Sequence, residues 1–291
     1  PTARGAELMR FGVRDLAALH DQGKEVVVVS SGAVAAGMMR LGVKERPKTI
    51  PQKQALAAVG QIKLMALYER YFSRFDKSVA QVLLTHEDLA NRQRYLNAKH
   101  TLLTLLESGM IPIVNENDTV AVEEMKFGDN DQLSSLVATL LEADLLVMLS
   151  DVDGVYDRDP RLDDGAQLIS LIPDLKRSKG TFGGESRTLY GTGGISSKIS
   201  AAEKAAASGI PTIIANGLEA GILAKVFDAD EERGTLILPE ENRLASRKHW
   251  IAHNLKPAGE IVVDEGAYEA LAKKGKSLLP IGIEQVYGAF D

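Results

Sequence analysis

The segment Gly191-Thr192-Gly193-Gly194-Ile195-Ser196-Ser197-Lys198 has the small residues and terminal lysine of a phosphate-binding loop. It is not a Walker loop, because that pattern closes on Gly-Lys-Ser or Gly-Lys-Thr, whereas Lys198 follows Ser197 and precedes Ile199. The glycines let a backbone approach a ligand closely, and the residues from Ile195 onward have helical spacing. Such a loop delivers unpaired N–H groups and the positive end of a helix dipole to one point, which suits a phosphate. Lys198, about one turn into the helix, would reach an oxygen of the same phosphate. A glycine-rich surface loop with a solvated lysine fits the motif alone equally well.

A second concentration of polar groups is Asn115-Glu116-Asn117-Asp118, followed by Gly128-Asp129-Asn130-Asp131 around a hairpin-like segment at 120–127. A calcium loop is a poor match, since the Asp-x-Asp-x-Asp-Gly spacing and the distal glutamate are missing. Asp129 suits a helix cap and Asp131 a first turn, where the helix dipole favours a negative charge, and neither role prevents Asp131 from doing chemistry. Ser30-Ser31-Gly32-Ala33, Ser150-Asp151 and Asn216-Gly217 likewise follow apolar runs. Caps and turns use the same residue types, so each taken singly is ordinary; their concentration points to a site. His249 and His253 lack neighbouring His or Cys ligands and read as interdomain surface rather than zinc, and Met38-Met39 reads as core. No protein ligand for a metal can be named.

The elements that must position these groups form an α/β pattern, in which helical stretches alternate with short, continuous apolar runs. Helices are expected at 6–20, 52–72, 92–108, 129–142 and 195–208, and strands at 25–30, 79–84, 110–114, 145–149 and 210–214. Four consecutive valines, Val26 to Val29, make the first of these strands a buried one. Ligands of mostly parallel sheets bind beyond the carboxyl ends of the strands, where the polar groups above fall. After Leu238-Pro239 the pattern changes. A polar, basic stretch precedes Ile261-Val262-Val263 and a helix-like segment at 267–274, so the expected organisation is a main domain at 1–240, a linker at 241–258 and the beginning of a second domain at 259–291. Neither Pro1 nor Asp291 looks like a natural terminus, and further residues are expected at both ends.

The 291 residues carry 34 Lys and Arg against 40 Asp and Glu, a net charge of −6, so the chain as a whole is not a polyanion binder. The absence of cysteine excludes a disulfide framework and a thiolate nucleophile, and no apolar run approaches the roughly 20 residues of a membrane span.

Six segments occur in an informative order: Ser-Ser-Gly-Ala-Val-Ala-Ala-Gly (30–37), Gln-Ala-Leu-Ala-Ala-Val-Gly-Gln (54–61), Asn-Glu-Asn-Asp (115–118), Gly-Asp-Asn-Asp (128–131), Ser-Asp-Val-Asp-Gly-Val-Tyr (150–156) and Gly-Thr-Gly-Gly-Ile-Ser-Ser-Lys (191–198). Together they resemble the glutamate 5-kinase family of the amino acid kinase superfamily, and Glu260 to Ala267 resembles the opening of the PUA domain that many members append. The resemblance implies a three-layer sandwich around a mostly parallel sheet, with a partial β-rich PUA-like domain at the C-terminal end. It implies ATP-dependent phosphorylation of the γ-carboxylate of L-glutamate to L-glutamyl 5-phosphate, the first step of proline biosynthesis. Carried over, Ser31, Gly32, Ala33, Asn115, Asp118 and Asn130 would bind glutamate, with Asp118 suited to its ammonium. Ser150, Asp151, Thr192, Gly193, Gly194, Ile195, Ser196, Ser197 and Lys198 would bind the nucleotide. Lys198 would stabilise charge on the phosphoryl group, with Asp131 orienting lysines rather than taking a proton, and Mg2+ would be carried mainly by the nucleotide phosphates.

The resemblance also implies a cytoplasmic homo-oligomer, feedback inhibition by proline and hand-over to glutamyl phosphate reductase, with neither RNA nor membrane as a partner. The family's opening strand, with its Lys-x-Gly-Ser motif, has no counterpart before Gly5, and that segment is expected upstream of Pro1. Two alternatives remain: another amino acid kinase such as an acetylglutamate kinase, and a non-catalytic amino-acid or RNA-binding regulator using the basic residues Arg243, Arg247 and Lys248.

Overall fold

A computed structural model describes residues 3–45, 47–121, 130–160, 162–175, 177–178, 194–228, 230–240 and 259–288. The chain divides into two compact units, Pro1–His249 and Trp250–Asp291.

In the first unit α1 (Ala3–Asp21) leads into β1 (Val28–Val29), α2 (Ala33–Leu41), α3 (Ile50–Phe72) and β2 (Val79–Leu84). The chain continues through α4 (His86–Ala90), α5 (Arg92–Glu107), β3 (Ile111–Glu116), α6 (Asn130–Leu141) and β4 (Leu146–Ser150). It finishes with β5 (Leu171–Ile172), α7 (Gly194–Ala207), β6 (Thr212–Asn216), α8 (Ile222–Val226) and β7 (Thr235–Ile237). Side chains set several of the helix starts. Asn91 Oδ1 accepts from the N–H groups of Gln93 (3.0 Å) and Arg94 (3.1 Å) at the head of α5, and Thr85 caps α4 through the Asp88 N–H (3.1 Å).

The strands form a parallel sheet of order β1-β3-β2 and a second sheet of order β4-β6-β7-β5, in which only the β6–β7 pairing is antiparallel. Register places Val29 beside Val114 and Ser150 beside Asn216, so the candidate residues of each sheet gather at the carboxyl ends of its strands. The two-residue alternation of a strand sends side chains to opposite faces. Leu146, Met148 and Ile214 pack on one face with Ala138 of α6 and Ile199, Ala201, Ala202 and Ala205 of α7. On the other face, Val147, Ile213 and Ala215 join Val13 of α1, Leu64, Tyr68 and Phe72 of α3, and Ile222 and Leu223 of α8. Ile111 and Ile113 of β3 enter this second cluster, so both sheets share one helical layer. Helices therefore cover both faces, as the expected three-layer α/β architecture requires.

Helices α2 and α3 meet at glycines. A Cβ on Gly60 would lie 1.7 Å from the carbonyl oxygen of Ala33, and one on Gly37 would lie 1.9 Å from that of Leu56, so no larger residue fits at this crossing.

Three details depart from expectation. The four-valine run contributes only Val28 and Val29 to the ladder, although Val26 is buried: an apolar run signals burial, whereas strand structure needs a partner. Strand β6 starts at Thr212, two residues after the expected Ile210. In the second unit β8 (Gly259–Val263) pairs antiparallel with β9 (Ile283–Gly288), and α9 (Glu265–Tyr268) between them begins before the expected 267, because the Asp264 carboxylate caps it by accepting from the Ala267 N–H at 2.7 Å. A π-helical stretch, Glu269–Lys273, continues it.

Candidate active site

The ends of β1 and β3 lie side by side. The Ser30 N–H donates to the Val114 carbonyl at 2.8 Å, after which the chain turns sharply at Gly32 (φ 103°, ψ 10°) into α2. That φ lies in the left-handed region, where glycine alone is unstrained. The turn leaves Ser31 and Gly32 exposed and buries Ala33 against α3. From behind, the buried Tyr68 hydroxyl donates to Ser30 Oγ at 2.8 Å, and Ser30 Oγ in turn donates to the Ser31 carbonyl at 3.3 Å.

Asn115, near the end of β3, is 1% exposed and fully engaged. Its Oδ1 accepts from the Glu116 N–H at 2.9 Å and from Asn130 Nδ2 at 3.2 Å, while its Nδ2 donates to Gln61 Oε1 of α3 at 2.8 Å. Asn130 Oδ1 is buried and has no hydrogen-bond partner among the described residues, an acceptor available to a donor group of a ligand. Two carboxyls follow Asn115. Burial pushes Asp118 above the usual carboxylate range; burial, then the charge of Asp118, does the same to Glu116.

The first turns of α6 and α7 converge. Lys198 Nζ donates to Asp131 Oδ1 at 2.6 Å, and each side chain is only 14% exposed. Gln132 Nε2 also donates to the Ser197 carbonyl, at 3.4 Å. The helix of 14 residues that begins at Gly194 thus holds its lysine one turn in, against a carboxylate from the neighbouring helix. This arrangement fits a nucleotide phosphate: N–H groups of a helix start, and a fixed ammonium whose remaining protons can reach an oxygen.

Ser150 ends β4 and Asp151 follows it. The Ser150 carbonyl accepts from the Gly217 N–H (2.8 Å), and Asn216 Nδ2 donates to Asp153 Oδ1 (2.8 Å), so the ends of β4 and β6 are tied together. Thr235 fastens the following loop: its Oγ1 accepts from the Val155 N–H at 2.8 Å and donates to the Ile169 carbonyl at 2.7 Å. Among the residues expected at the nucleotide, Ile195 turns its side chain to the core, which leaves its backbone for a ligand. Thr192 and Gly193 lie outside the described residues, as do Gly191, Gly128, Asp129, His249 and His253. Among the described residues no group of three or more His, Cys, Asp or Glu side chains could hold a metal ion.

The structure therefore brings Asn115 to Asn130 and Asp131 to Lys198, and puts Ser31, Gly32 and Ala33 beside the end of β3. Gln61 entered the sequence reading only as the last residue of the 54–61 segment, with no role assigned, and Tyr68 and Thr235 were missed. Gln61 did carry a signal, because it sits at helical spacing among Ala57, Gly60, Leu64 and Tyr68, a polar residue on the buried face of α3.

Residues 5–216 match the amino acid kinase family. A solved isopentenyl phosphate kinase shares the fold at 17% identity, with a TM-score of 0.51 over 79% of this chain and 90% of its own. Glutamate 5-kinase of Geobacter metallireducens is 55% identical over 277 residues, 95% of this chain and 74% of the relative. That of Moorella thermoacetica is 50% identical over 279 residues, 96% of this chain and 74% of the relative. The chain belongs to the amino acid kinase family and, within it, to the glutamate 5-kinases.

Proposed function

We propose that the protein transfers the γ-phosphoryl group of ATP to the γ-carboxylate of L-glutamate, giving ADP and L-glutamyl 5-phosphate, the first step of proline biosynthesis. A carboxylate oxygen forms the new bond to phosphorus as the bond to the β-phosphate oxygen breaks. The nucleophile is already an anion, so no general base is needed, and catalysis rests on positioning and on positive charge around the moving group. Family membership supplies the substrate. The observation that carries the chemistry is the Lys198–Asp131 pair, which joins the first turns of α6 and α7 one residue from Asn130.

Lys198 neutralises charge on the phosphoryl group, and Asp131 aims it. Asp118 and Asn130 Oδ1, which has no partner among the described residues, accept from the ammonium of glutamate; Asn115 holds Asn130, and the turn at Ser31, Gly32 and Ala33 takes the other end of the substrate. Ser150, Asp151 and the 192–198 segment hold ATP, whose phosphates carry Mg2+. Residues 1–240 form the kinase domain, 241–258 a linker and 259–291 the beginning of a PUA-like domain, a division supported by the motif order and the separate β8–β9 hairpin. The family resemblance supports a cytoplasmic homo-oligomer inhibited by proline, with its acyl phosphate passed to glutamyl phosphate reductase. Among the described residues no helix is long and apolar enough to cross a membrane.

The test is trapping. The full-length protein with MgATP, L-glutamate and hydroxylamine should form γ-glutamyl hydroxamate in a glutamate-dependent reaction. N-acetylglutamate in place of glutamate should not support turnover. Folded protein that makes no hydroxamate, or that prefers the acetylated acid, overturns the assignment.

A further inference from the structure

Four side-chain amides form a line from the surface to the candidate substrate site. Gln61 Nε2 donates to Gln81 Oε1 of β2 at 3.2 Å; Gln61 Oε1 accepts from Asn115 Nδ2 at 2.8 Å; and Asn115 Oδ1 accepts from Asn130 Nδ2 at 3.2 Å. Amide groups can in principle be turned end for end, and such a line could run in either direction. One bond removes that freedom. Asn115 Oδ1 also accepts from the backbone N–H of Glu116 at 2.9 Å, and a backbone N–H can only donate. Asn115 must therefore present oxygen to Asn130 and nitrogen to Gln61. Gln61 must answer with oxygen, and Asn130 must spend its nitrogen on Asn115. The free end of the line is consequently an oxygen, Asn130 Oδ1, buried and without a hydrogen-bond partner among the described residues.

Gln61 is the member with no path to the substrate of its own. It is buried on the inner face of α3, and in sequence it is 54 residues from Asn115. We propose that Gln61 is a positioning residue for the phosphoryl acceptor: by accepting from Asn115 Nδ2 it anchors the far end of the Asn115 amide, whose direction the Glu116 N–H sets, and so holds Asn130 Oδ1 in place for the substrate's ammonium. The proposal rests on the glutamate reading above. Without Gln61, Asn115 Nδ2 loses its acceptor; the Asn115 amide keeps its Glu116 bond but is held at one end only, and Asn130 is placed less tightly with it.

The full-length protein is assayed first as wild type. No glutamate-dependent hydroxamate there sinks the function assignment before Gln61 is tested. Given activity, Gln61→Met, of similar volume but unable to accept, should raise the glutamate KM on the order of 5–10-fold, the loss of about one hydrogen bond's worth of substrate orientation. Its kcat and ATP KM should stay within about twofold, a split that general loosening of the fold would not produce. Gln61→Glu keeps an acceptor for Asn115 and should restore the glutamate KM to within about threefold of wild type. A glutamate KM unchanged in Gln61→Met, a matching rise in the ATP KM, or no recovery in Gln61→Glu overturns the proposal while leaving the kinase assignment standing. Should Gln61→Met fail to fold, Gln81→Met decides: removing the surface acceptor that steadies Gln61 Nε2 should raise the glutamate KM about 2–3-fold without shifting the melting temperature, and an unchanged KM rejects the role.

Discussion

Lys198→Ala separates what this lysine does for the reaction from what it does for the fold. Its Nζ lies 2.6 Å from Asp131 Oδ1, with both side chains 14% exposed, so Asp131 would lose this ammonium in a largely desolvated position. Removing one partner of a fully buried pair costs about 3–5 kcal/mol. Here residual exposure softens that cost, and the first turn of α6 favours an anion by about 0.3–1 kcal/mol, leaving about 1–3 kcal/mol for the loss of the Lys198 ammonium. At roughly 2–4 °C per kcal/mol for a unit of this size, the variant should melt some 3–10 °C below wild type and remain folded at 25 °C. The catalytic loss should be much larger. Deleting one preorganised donor from the developing charge lowers kcat by about 10²–10³, while the glutamate KM should stay within about threefold, because the ammonium is held by other groups. The assay is hydroxamate formation against glutamate concentration, alongside thermal melts. Turnover by Lys198→Ala within about threefold of wild type would falsify the placement of Lys198 on the phosphoryl group.

Three further perturbations test other parts of the molecule. Asp118→Asn should raise the glutamate KM on the order of 10–100-fold, the worth of a hydrogen bond to a charged group, and an unchanged KM would move the ammonium site elsewhere. Burial raises the Asp118 carboxyl in the folded protein, so the folded state holds its proton more tightly than the unfolded chain, and wild-type stability falls as pH rises through that raised value. Asp118→Asn should therefore melt above wild type at pH 7 and lose the advantage on acidification toward pH ~4, whereas the wild-type glutamate KM should climb over the same acid range as Asp118 loses its charge. Gly60→Ala would set a Cβ 1.7 Å from the Ala33 carbonyl oxygen and should cost about 1–3 kcal/mol or more; a melting temperature equal to wild type would show that the helix crossing is looser than described. Thr235→Val keeps the shape of the side chain but strips the Val155 N–H of its acceptor, at about 1–3 kcal/mol. It should also raise the ATP KM more than the glutamate KM, and equal changes in both would disconnect the 150–156 loop from the nucleotide.

What the sequence disclosed follows from the range of each signal. Strands β2, β3 and β4 and helices α3, α5, α6 and α7 were legible because long apolar or amphipathic runs report burial directly. Strands β5 and β7 have two and three residues, too few for any period, and α2 lay hidden within a glycine- and alanine-rich segment read only as a motif. The β6–β7 reversal depends on pairing, of which a single strand carries no trace. At the site, Asn115, Asp131 and Lys198 stood out because polar and glycine-rich residues cluster after apolar runs. Gln61 and Tyr68 did not, since their partners are 54 and 38 residues away and only the fold makes them neighbours.

The long helix α3 ties together the two strand ends that form the candidate glutamate site. Gly60 lets the backbone of α3 touch Ala33, the residue that closes the turn after β1. From that contact outward, Gln61 reaches Asn115 at the end of β3, and two turns on Tyr68 reaches Ser30 at the end of β1. Three buried positions of one helix therefore set the spacing between two strand ends that parallel pairing alone would leave free beyond the ladder. A bulkier residue at 60 would push Ala33 away and stretch both hydrogen bonds together. Close packing at a glycine and polar reach from its neighbours thus form a single device: the first brings the helix near enough for the second to fix where the ends of β1 and β3 lie.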